Sequence, residues 1–325
     1  MKAVRVHEYG GPEVLTYEEV PDPQPATGEA LVEMQIIGVN YSDTHFRRGS
    51  YPNQASQLPL VPGHEGVGIV AGLGEGAGGV TVGDRVVFSG QHQRGTYKQL
   101  MTLPAAELIP LPPGMDMKLA VAVLNQGQTA HYLVHDAHPI KAGERVLIHA
   151  AAGGVGSNLV QMAKRLGAYV YATVSTEAKA AFARDLGADE VILYTEVDFE
   201  EEIKKRTAGR GLDAVFDAIG GDTLIKSLRC LARKGHLVTY GQSAGRPPPL
   251  EWPLRGLGSY YMSNHTGADY SRGEEGRRRA YELFRWAREG ELKVHIHKEY
   301  PLADAAQAHR DIQGRSTVGK LLLIP

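Results

Sequence analysis

Residues 149–156 read HAAAGGVG, and this glycine-rich stretch decides the fold of the chain. An apolar run precedes it at 145–148, and a segment of helical periodicity follows it at 155–166. A strand that turns through glycines into a helix is typical of phosphate binding, because the backbone can approach a pyrophosphate and the helix N-terminus offers unpaired N–H groups. A tight turn without a ligand is the alternative. The predicted pyrophosphate contacts are Ala152, Gly153, Gly154, Val155 and Gly156.

Apolar, strand-like runs alternate with segments of helical periodicity over residues 123–265. Alternation of this kind predicts an α/β domain with a doubly wound parallel sheet and helices on both faces. The six strands are predicted at 146–150, 169–174, 190–194, 214–218, 236–241 and 259–264, and the four intervening helices at 154–167, 177–187, 199–207 and 222–233.

The two flanking segments predict a second, β-rich domain. Residues 1–122 contain short β-forming runs separated by Pro/Gly clusters, which is typical of a small barrel or sandwich. A terminal strand is predicted at 319–324, and it needs a sheet to join. We therefore expect residues 266–325 to return to the N-terminal domain, so that the domains are 1–122 with 266–325, and 123–265.

The bulk composition is that of an ordinary globular protein of 325 residues. The net charge of −2, from 35 basic and 37 acidic residues, provides no basic excess for nucleic acid or for an anionic membrane surface. No apolar run approaches the roughly 18 residues that span a bilayer, and no signal-peptide core follows Met1. A single cysteine, Cys230, excludes an internal disulfide and a multi-thiolate zinc site. We therefore expect a cytoplasmic protein.

The end of the second predicted strand indicates the cofactor. NAD sites usually place an Asp or Glu about 20 residues past the glycines, where it bonds the ribose 2′-OH. Here the strand is followed by Ser175 and, one helical turn later, by Lys179, while Glu177 is expected to start the next helix. A hydroxyl with an ammonium group suits a 2′-phosphate, so the sequence favours NADPH. A solvated helix lysine is the alternative for Lys179.

Four separated stretches carry a family resemblance: GVNYSDTHFRRGSYP at 38–52, PGHEGVGIV at 62–70, VLIHAAAGGVG at 146–156 and GKLLLIP at 319–325. In them the chain resembles the medium-chain dehydrogenase/reductases, and among these the zinc-independent quinone oxidoreductases related to zeta-crystallin. The resemblance runs end to end. It implies a GroES-like N-terminal domain, a Rossmann domain and a cofactor cleft between them. It also implies a homodimer, formed by edge pairing of the strand at 259–264.

The resemblance also bears on metal binding. Zinc-dependent relatives use a cysteine, a histidine and a second cysteine, and these positions hold Asn40, His64 and Asn125 here. One imidazole with two amides is a poor zinc site, and the four-cysteine structural lobe is missing. We therefore predict no metal, against the hypothesis of a zinc alcohol dehydrogenase. His64 is expected to be a hydrogen-bonded residue, with Glu65 held by a partner at the domain junction.

The same resemblance implies roles for individual residues, each of which also has a plain structural alternative. Asn40 and Asp43 would lie in a loop facing the nicotinamide, with Asn40 as a hydrogen-bond donor, and Tyr51 would lie near the substrate carbonyl. Gln126 and Thr129 would touch the nicotinamide end of the cofactor. The remaining cofactor contacts would be Ser175, Lys179 and Tyr194 at the 2′-phosphate and ribose, Tyr240, Gly241 and Gln242 along the cofactor, and Arg315 before the final strand.

The resulting prediction of function is NADPH-dependent, metal-independent hydride transfer to a quinone. Donors such as Asn40 or Tyr51 would stabilise the charge that collects on the acceptor oxygen, and the final proton would come from water. One alternative is NADPH-dependent reduction of the C=C bond of an enal, enone or enoyl-thioester. Another is a dinucleotide-binding protein without significant turnover. In every case the partner is a small molecule rather than nucleic acid or a membrane.

Overall fold

The computed structural model describes residues 1–50, 57–90, 95–249 and 258–325. The chain divides into two compact units, of which the first comprises Met1–Gln128 with Tyr270–Pro325 and the second comprises Thr129–Asp269. The first division falls within the helix Met117–Tyr132, whereas the sequence places it before residue 123.

The helices and strands are numbered in chain order. The N-terminal part of the first unit contains β1 (Lys2–Val6), β2 (Leu15–Glu19), β3 (Glu29–Val39), α1 (Tyr41–Arg47), β4 (Glu65–Leu73), β5 (Arg85–Ser89), β6 (Leu100–Pro104), β7 (Ile109–Pro110) and α2 (Met117–Tyr132). The second unit contains β8 (Arg145–Ile148), α3 (Gly154–Arg165), β9 (Tyr169–Val174), α4 (Glu177–Asp185), β10 (Glu190–Leu193), α5 (Phe199–Arg206), β11 (Leu212–Asp217), α6 (Gly221–Arg229), β12 (Leu231–Thr239) and β13 (Tyr261–Asn264). The C-terminal part contains α7 (Gly273–Arg288), β14 (Ile296–Pro301), α8 (Ala305–Gln313) and β15 (Lys320–Ile324).

A seven-stranded sheet forms the centre of the first unit. Its order is β14-β15-β3-β4-β5-β7, with β6 paired to β3, and β1 and β2 form a separate two-stranded sheet. The long strand β3 alternates at its start, so that Ala30, Val32 and Met34 are buried while the intervening residues are less so. These side chains join a core that also includes Leu321 and Leu323 of β15.

The C-terminal strand is part of this sheet. β15 pairs antiparallel with β3, where Leu321 lies opposite Val39, and it pairs parallel with β14. The residue before Leu321 in β15 is Lys320, and the residue after Val39 is Asn40. The strand register therefore places a lysine beside the N-terminus of α1.

The second unit is built on a six-stranded sheet with the order β10-β9-β8-β11-β12-β13. Every strand pair in it is parallel, and helices alternate with the strands from β8 to β12, which confirms the predicted doubly wound α/β fold. The chain proceeds from β8 to one edge and then, from β11, to the other. Ligands of such sheets bind outside the carboxyl ends of the strands at this switch point.

One predicted helix extends too far. The periodicity predicts a helix over 222–233, whereas α6 ends at Arg229 and β12 begins at Leu231. Leu231 pairs with Leu212 of β11, so its backbone groups are bonded in the sheet. Short apolar runs do not distinguish a buried helical turn from the start of a strand, and strand pairing decides here.

The single cysteine lies in the core of the second unit. Cys230 is a buried free thiol, and burial raises its pKa to about 12, so the thiol stays protonated. Within the described ranges, no helix is both long and apolar enough to cross a membrane.

Candidate functional site

The glycine-rich turn joins β8 to α3. The first helical residue is Gly154, and the N-cap, Gly153, has an extended backbone. The left-handed residue of the turn is Ala150, with a φ of 51°, and its carbonyl oxygen accepts from the N–H of Gly153 at 2.8 Å. The sharp bend therefore lies one residue before Ala151, which occupies the first glycine position of the usual fingerprint. The first N–H groups of α3 lie at the carboxyl edge of the sheet, where helix N-termini bind anions.

Gly156 is required by the close packing of α3 on this turn. A Cβ atom at Gly156 would lie 2.2 Å from the carbonyl oxygen of Ala150 and 2.8 Å from Cα of Ala151. No side chain fits at these distances unless the backbone moves. At Gly153 an added Cβ would contact only the Ala150 carbonyl oxygen, at 3.2 Å. The missing side chain at Gly153 therefore keeps the outer surface of the turn open.

His149 anchors the turn to the neighbouring elements. Its Nδ1 lies 2.8 Å from Oγ1 of Thr173 on β9, and its Nε2 lies 3.0 Å from Oγ of Ser227 on α6. The Ser227 hydroxyl donates in turn to Oδ2 of Asp217 at 3.1 Å. Burial lowers the pKa of His149, so the imidazole is neutral and bonds the two hydroxyls. His149 is thus a hydrogen-bonded structural histidine.

Ser175, Lys179 and Tyr194 lie together at the carboxyl edge of the sheet. The paired strands β9 and β10 end one residue before Ser175 and Tyr194, respectively. The Thr195 hydroxyl donates to the carbonyl oxygen of Ser175 at 3.0 Å, and Oγ1 of Thr176 accepts from the backbone N–H of Lys179 at 3.3 Å. The structure therefore brings these three predicted residues to one corner, which we call the β9 corner.

The carboxylate two residues after Ser175 already has a partner. Oε1 of Glu177, in the first turn of α4, lies 2.6 Å from Nη1 of Arg184, and both side chains are exposed. The tip of β9 itself is followed by Ser175 and Thr176, which are neutral. The corner therefore offers hydroxyl groups and an ammonium group, a set that suits an anionic substituent.

The connections after β11 and β12 pack against each other at the same edge. Oδ1 of Asp217 accepts from the backbone N–H of Ile219 at 2.6 Å and of Gly220 at 3.0 Å, which makes Asp217 a strand-tip residue rather than a base. Its carbonyl oxygen accepts from the N–H of Tyr240 at 3.0 Å. This bond holds the predicted segment Tyr240, Gly241 and Gln242 beside the end of β11. Burial raises the pKa of Tyr240, so its hydroxyl is protonated.

Four other predicted residues remain, which are Gln126, Thr129, Arg315 and Tyr51. Gln126 is buried and Thr129 partly buried on α2, and the division between the two units falls between them. Arg315 is exposed between α8 and β15, with a left-handed φ of 56°. Tyr51 lies outside the described residues. The functional roles of these four residues stay predictions.

A buried cluster of polar side chains in the first unit surrounds Asp43, which is completely buried. Oδ1 of Asp43 lies 3.0 Å from Nδ1 of His64. Its Oδ2 accepts from the hydroxyl of Tyr97 at 3.0 Å and from the backbone N–H of Asn40 at 2.9 Å. The prediction that Asp43 lies in a loop is wrong, because Asp43 lies in the first turn of α1. A carboxylate at this position accepts hydrogen bonds from backbone N–H groups that have no partner inside the helix.

Further partners extend the Asp43 cluster to α8. Nη1 of Arg47 lies 3.0 Å from Nδ1 of His309, whose Nε2 lies 3.0 Å from the hydroxyl of Tyr97. Because a guanidinium can only donate, Nδ1 of His309 accepts and its Nε2–H donates to Tyr97. Burial lowers the pKa of His309 to about 4, consistent with this neutral form.

The ionisation of the cluster is set by Asp43 and His64 together. Burial alone would raise the pKa of Asp43, but His64 and the hydrogen bonds hold it below the ordinary value. Burial alone would lower the pKa of His64, but the facing Asp43 carboxylate raises it. Burial and Asp43 raise the pKa of Tyr97 well above its usual range. The cluster therefore contains an anion beside a histidine that readily holds a proton.

The side-chain amide of Asn40 is held at both ends. Its Nδ2 donates to Oε1 of Glu65 at 2.7 Å, and its Oδ1 accepts from Nζ of Lys320 at 3.0 Å and from Nδ2 of Asn125 at 3.1 Å. These partners determine which end of the amide is the oxygen. In the part of the chain that the structure describes, the second N–H of Nδ2 has no partner.

Glu65 and Lys320 form an ion pair that is almost completely buried. The sequence predicts a partner for Glu65 at the domain junction, whereas Lys320 belongs to the same unit as Glu65. Gly38 on β3 makes room for the pair, because a Cβ atom there would lie 2.2 Å from Oε1 of Glu65. Oε2 of Glu65 is buried and has no hydrogen-bond partner among the described residues. The carboxylate therefore depends on Lys320 and Asn40 for its compensation.

The donors around His64 do not suit a metal ion. Asn40 and Asn125 offer amides that are already bonded to each other, and Nδ1 of His64 is bonded to Asp43. Zinc prefers thiolate, imidazole and carboxylate ligands in a tetrahedral shell. Over the described ranges, no group of three or more His, Cys, Asp or Glu could hold a metal.

Four members of these networks were not predicted from the sequence: Arg47, Tyr97, His309 and Lys320. Only Lys320 could have been found from its local sequence, because a lysine within the apolar run GKLLLIP is expected to be buried and to need a charged partner. The other three contact residues that are distant in sequence, and no spacing rule links them.

Two family models match the chain. Residues 26–113 match the alcohol dehydrogenase GroES-like domain, and residues 186–323 match the family described as zinc-binding dehydrogenase. The first match confirms the predicted GroES-like domain.

Relatives match along the full length. The chain is 39% identical to a 2-haloacrylate reductase of Burkholderia sp, over 99% of this chain and 98% of the relative. It is 38% identical to quinone oxidoreductase 1 of Escherichia coli, over 99% of each chain. The crystal structure of Escherichia coli quinone oxidoreductase complexed with NADPH matches it with a TM-score of 0.95, at 38% identity over 100% of both chains.

Proposed function

The chain belongs to the zinc-independent quinone oxidoreductase family of the medium-chain dehydrogenase/reductases, and from this premise we propose that it reduces quinones with NADPH. One observation carries the proposal. The β9 corner joins Ser175, Lys179 and Tyr194 where NAD-binding sheets usually hold a carboxylate. NADPH, when bound, supplies the hydride, and the residues of the chain bind and orient it.

The glycine-rich turn and α3 fit the pyrophosphate of such a cofactor. Gly153 leaves the surface of the turn open, and Gly156 brings α3 close to the turn. The N–H groups at the start of α3 and the positive end of its dipole favour the phosphate charges. Lys179 and Ser175 then bind the 2′-phosphate, with Tyr194 beside them.

Asn40 stabilises charge on the acceptor oxygen. Its remaining N–H points in one direction, because Lys320 and Asn125 hold the amide oxygen and Glu65 holds the other N–H. A donor oriented before the reaction costs no reorganisation when the charge develops, and known donors of this kind contribute roughly 3 kcal/mol. Tyr51, outside the described residues, is proposed as a second donor.

Steady-state turnover with a panel of acceptors tests the proposal. The purified chain is assayed with NADPH and NADH against a para-benzoquinone, a naphthoquinone, cyclohexenone and an enoyl-CoA. We expect quinone reduction with a preference for NADPH. Turnover of the enone and thioester without the quinones would refute quinone reduction. Tight NADPH binding without oxidation by any acceptor would favour a binding protein instead.

The second candidate is reduction of an activated C=C bond. Similarity to the 2-haloacrylate reductase of Burkholderia sp favours it, because that relative is as similar to the chain as the quinone oxidoreductases are. Both reactions place negative charge on an acceptor oxygen, so the same Asn40 donor serves either one. The acceptor panel separates the two candidates.

We also propose that the chain forms a homodimer. The support is β13, an edge strand of the second unit that exposes Tyr261 by 63% and Met262 by 42%. Unpaired edges with apolar side chains favour pairing with a second copy. Sedimentation at several protein concentrations tests this, and a monomer at all of them would refute it. The cytoplasmic location stays a prediction from the sequence.

A further inference from the structure

His64 is bonded on one side of its ring only. Its Nδ1 contacts Oδ1 of Asp43 at 3.0 Å, whereas its Nε2 has no hydrogen-bond partner in the part of the chain that the structure describes. The residue is 6% exposed, and Nε2 is not among the buried atoms that lack a partner. The free nitrogen is therefore the part of His64 that solvent or a ligand can reach.

Asp43 is arranged to keep His64 protonated. Its Oδ2 is occupied by Tyr97 and by the backbone N–H of Asn40, so Oδ1 is the oxygen that faces the imidazole. The charged groups that act on His64 come from three elements. Asp43 on α1 and Glu65 on β4 raise its pKa, whereas Lys320 on β15 and burial lower it. The balance favours the imidazolium form.

His64 and Asn40 both contact the Asp43 carboxylate, but only the His64 side chain can release a proton near neutral pH. Asn40 reaches Asp43 through its backbone N–H, and His64 reaches it through Nδ1. An amide donates a hydrogen bond but does not release a proton near neutral pH. An imidazolium beside it can release one.

We propose that His64 is the general acid that protonates the acceptor oxygen, which deepens the proposed function and rests on it. The acceptor gains a hydride, its conjugated electrons move to the oxygen, and the oxygen becomes an anion. The N–H bond at Nε2 of His64 then breaks and an O–H bond forms. The imidazole is left neutral, and a solvent proton restores it. In place of unassisted protonation by water, the chain supplies the proton at a fixed position.

Substitution of His64 by Asn tests the proposal. His64→Asn keeps an amide N–H near the position of Nδ1, so the contact to Asp43 is retained while Nε2 is lost. We expect kcat/KM for the best acceptor of the panel, with NADPH, to fall by about 10²-fold at neutral pH. We also expect the alkaline decline of the wild-type pH profile to disappear, since the titrating acid is gone.

A matched variant separates this role from a structural one. Tyr97→Phe removes the neighbouring bonds to Asp43 and His309 and leaves His64 in place. It should keep the alkaline decline, even if stability falls. A pH profile of His64→Asn that matches wild type, with kcat/KM within about twofold, would overturn the proposal.

The wild-type protein provides a test that does not depend on folding of a variant. Its kcat/KM should decline above the pKa of His64 and show a normal solvent deuterium isotope effect. A profile that is flat at every alkaline pH at which the protein stays folded, without a solvent isotope effect, would overturn the role of His64 while leaving the proposed function intact. Failure of every acceptor to oxidise NADPH would overturn both.

Discussion

The two units hold their buried polar groups by different means. In the first unit, Asp43, Glu65 and Lys320 are each no more than 1% exposed, and side chains from distant segments compensate their charges. In the second unit, the buried carboxylate Asp217 accepts mainly from the backbone, and His149 lies between two hydroxyls. The first arrangement depends on each charged partner. The second depends on the shape of the backbone.

The difference predicts how strongly substitutions in each unit reduce the stability of the protein. Removing one member of a buried ion pair leaves an uncompensated charge, which costs far more than an exposed pair contributes. Crowding a backbone turn costs less, about 1–3 kcal/mol, although the backbone has to move to admit the added atom. Substitutions in the first unit should therefore have the larger effects on stability.

Lys320→Met tests the comparison most strongly. It leaves Glu65 buried without its cation, and we expect the free energy of unfolding to fall by about 3–5 kcal/mol. Denaturant titration measures the loss. Lys205→Met in the second unit is the control, because the Lys205 side chain is 80% exposed where it pairs with Glu202 on α5, and its loss should change stability little. Similar losses for the two variants would remove the distinction.

Gly156→Ala tests the backbone-built site. The added Cβ would overlap the carbonyl oxygen of Ala150, and we expect a loss of about 1–3 kcal/mol in stability together with weaker NADPH binding. Gly153→Ala is the matched variant, since its Cβ would meet only the Ala150 carbonyl oxygen, at 3.2 Å, and its backbone is extended. It should weaken NADPH binding while largely keeping stability. Equal destabilisation by both would contradict the assigned roles.

The pH dependence of stability offers a third test, through His309. The folded pKa of His309 is about 4, against 6.5 for an ordinary histidine, so between these values the unfolded chain binds more protons. Its contribution is complete above about pH 6.5 and is lost as the pH falls. From about pH 7 to about pH 5, wild type should lose about 2 kcal/mol relative to His309→Asn. Parallel pH curves for the two proteins would count against this.

Lys179→Ala has the smallest expected effect. Lys179 is partly exposed, so its bond to a 2′-phosphate should contribute about 1.5 kcal/mol, or roughly tenfold in NADPH affinity. NADH affinity should be unchanged. Arg184→Ala on the same helix is the control, because Arg184 pairs with Glu177, and it should leave both affinities unchanged. Equal weakening of NADPH and NADH by Lys179→Ala would show that this lysine does not recognise the 2′-phosphate.

The same contrast explains what could be predicted from the sequence. The glycine-rich turn, the six parallel strands and the β9 corner follow from local patterns, since each is defined within a few residues of a strand end. The Asp43 cluster and the neighbouring contacts of Asn40, Glu65 and Lys320 could not be predicted in this way. Lys320 and Asn40, for example, are 280 residues apart, and their contact requires the register of β15 on β3.

Two local errors have physical causes of the same kind. Asp43 lies in a helix because Asn40 and Asp43 cap α1, while the sequence there resembles a loop. The segment after Arg229 enters β12 because Leu231 finds a partner in β11. The local conformation is set by strand pairing at Leu231 and by a cap with buried partners at Asp43.

The tight fit between Gly38 and Glu65 also sets the order in which substitutions can accumulate in related chains. A side chain at position 38 would occupy the space of the carboxylate at position 65, so the two positions are epistatic. Shortening residue 65 makes room for a side chain at position 38 and at the same time removes the counter-ion of Lys320. A chain that keeps Glu65 has to move its carboxylate before position 38 accepts a side chain. Sterics at one strand crossing therefore restrict the evolutionary paths open to three positions that are far apart in the sequence.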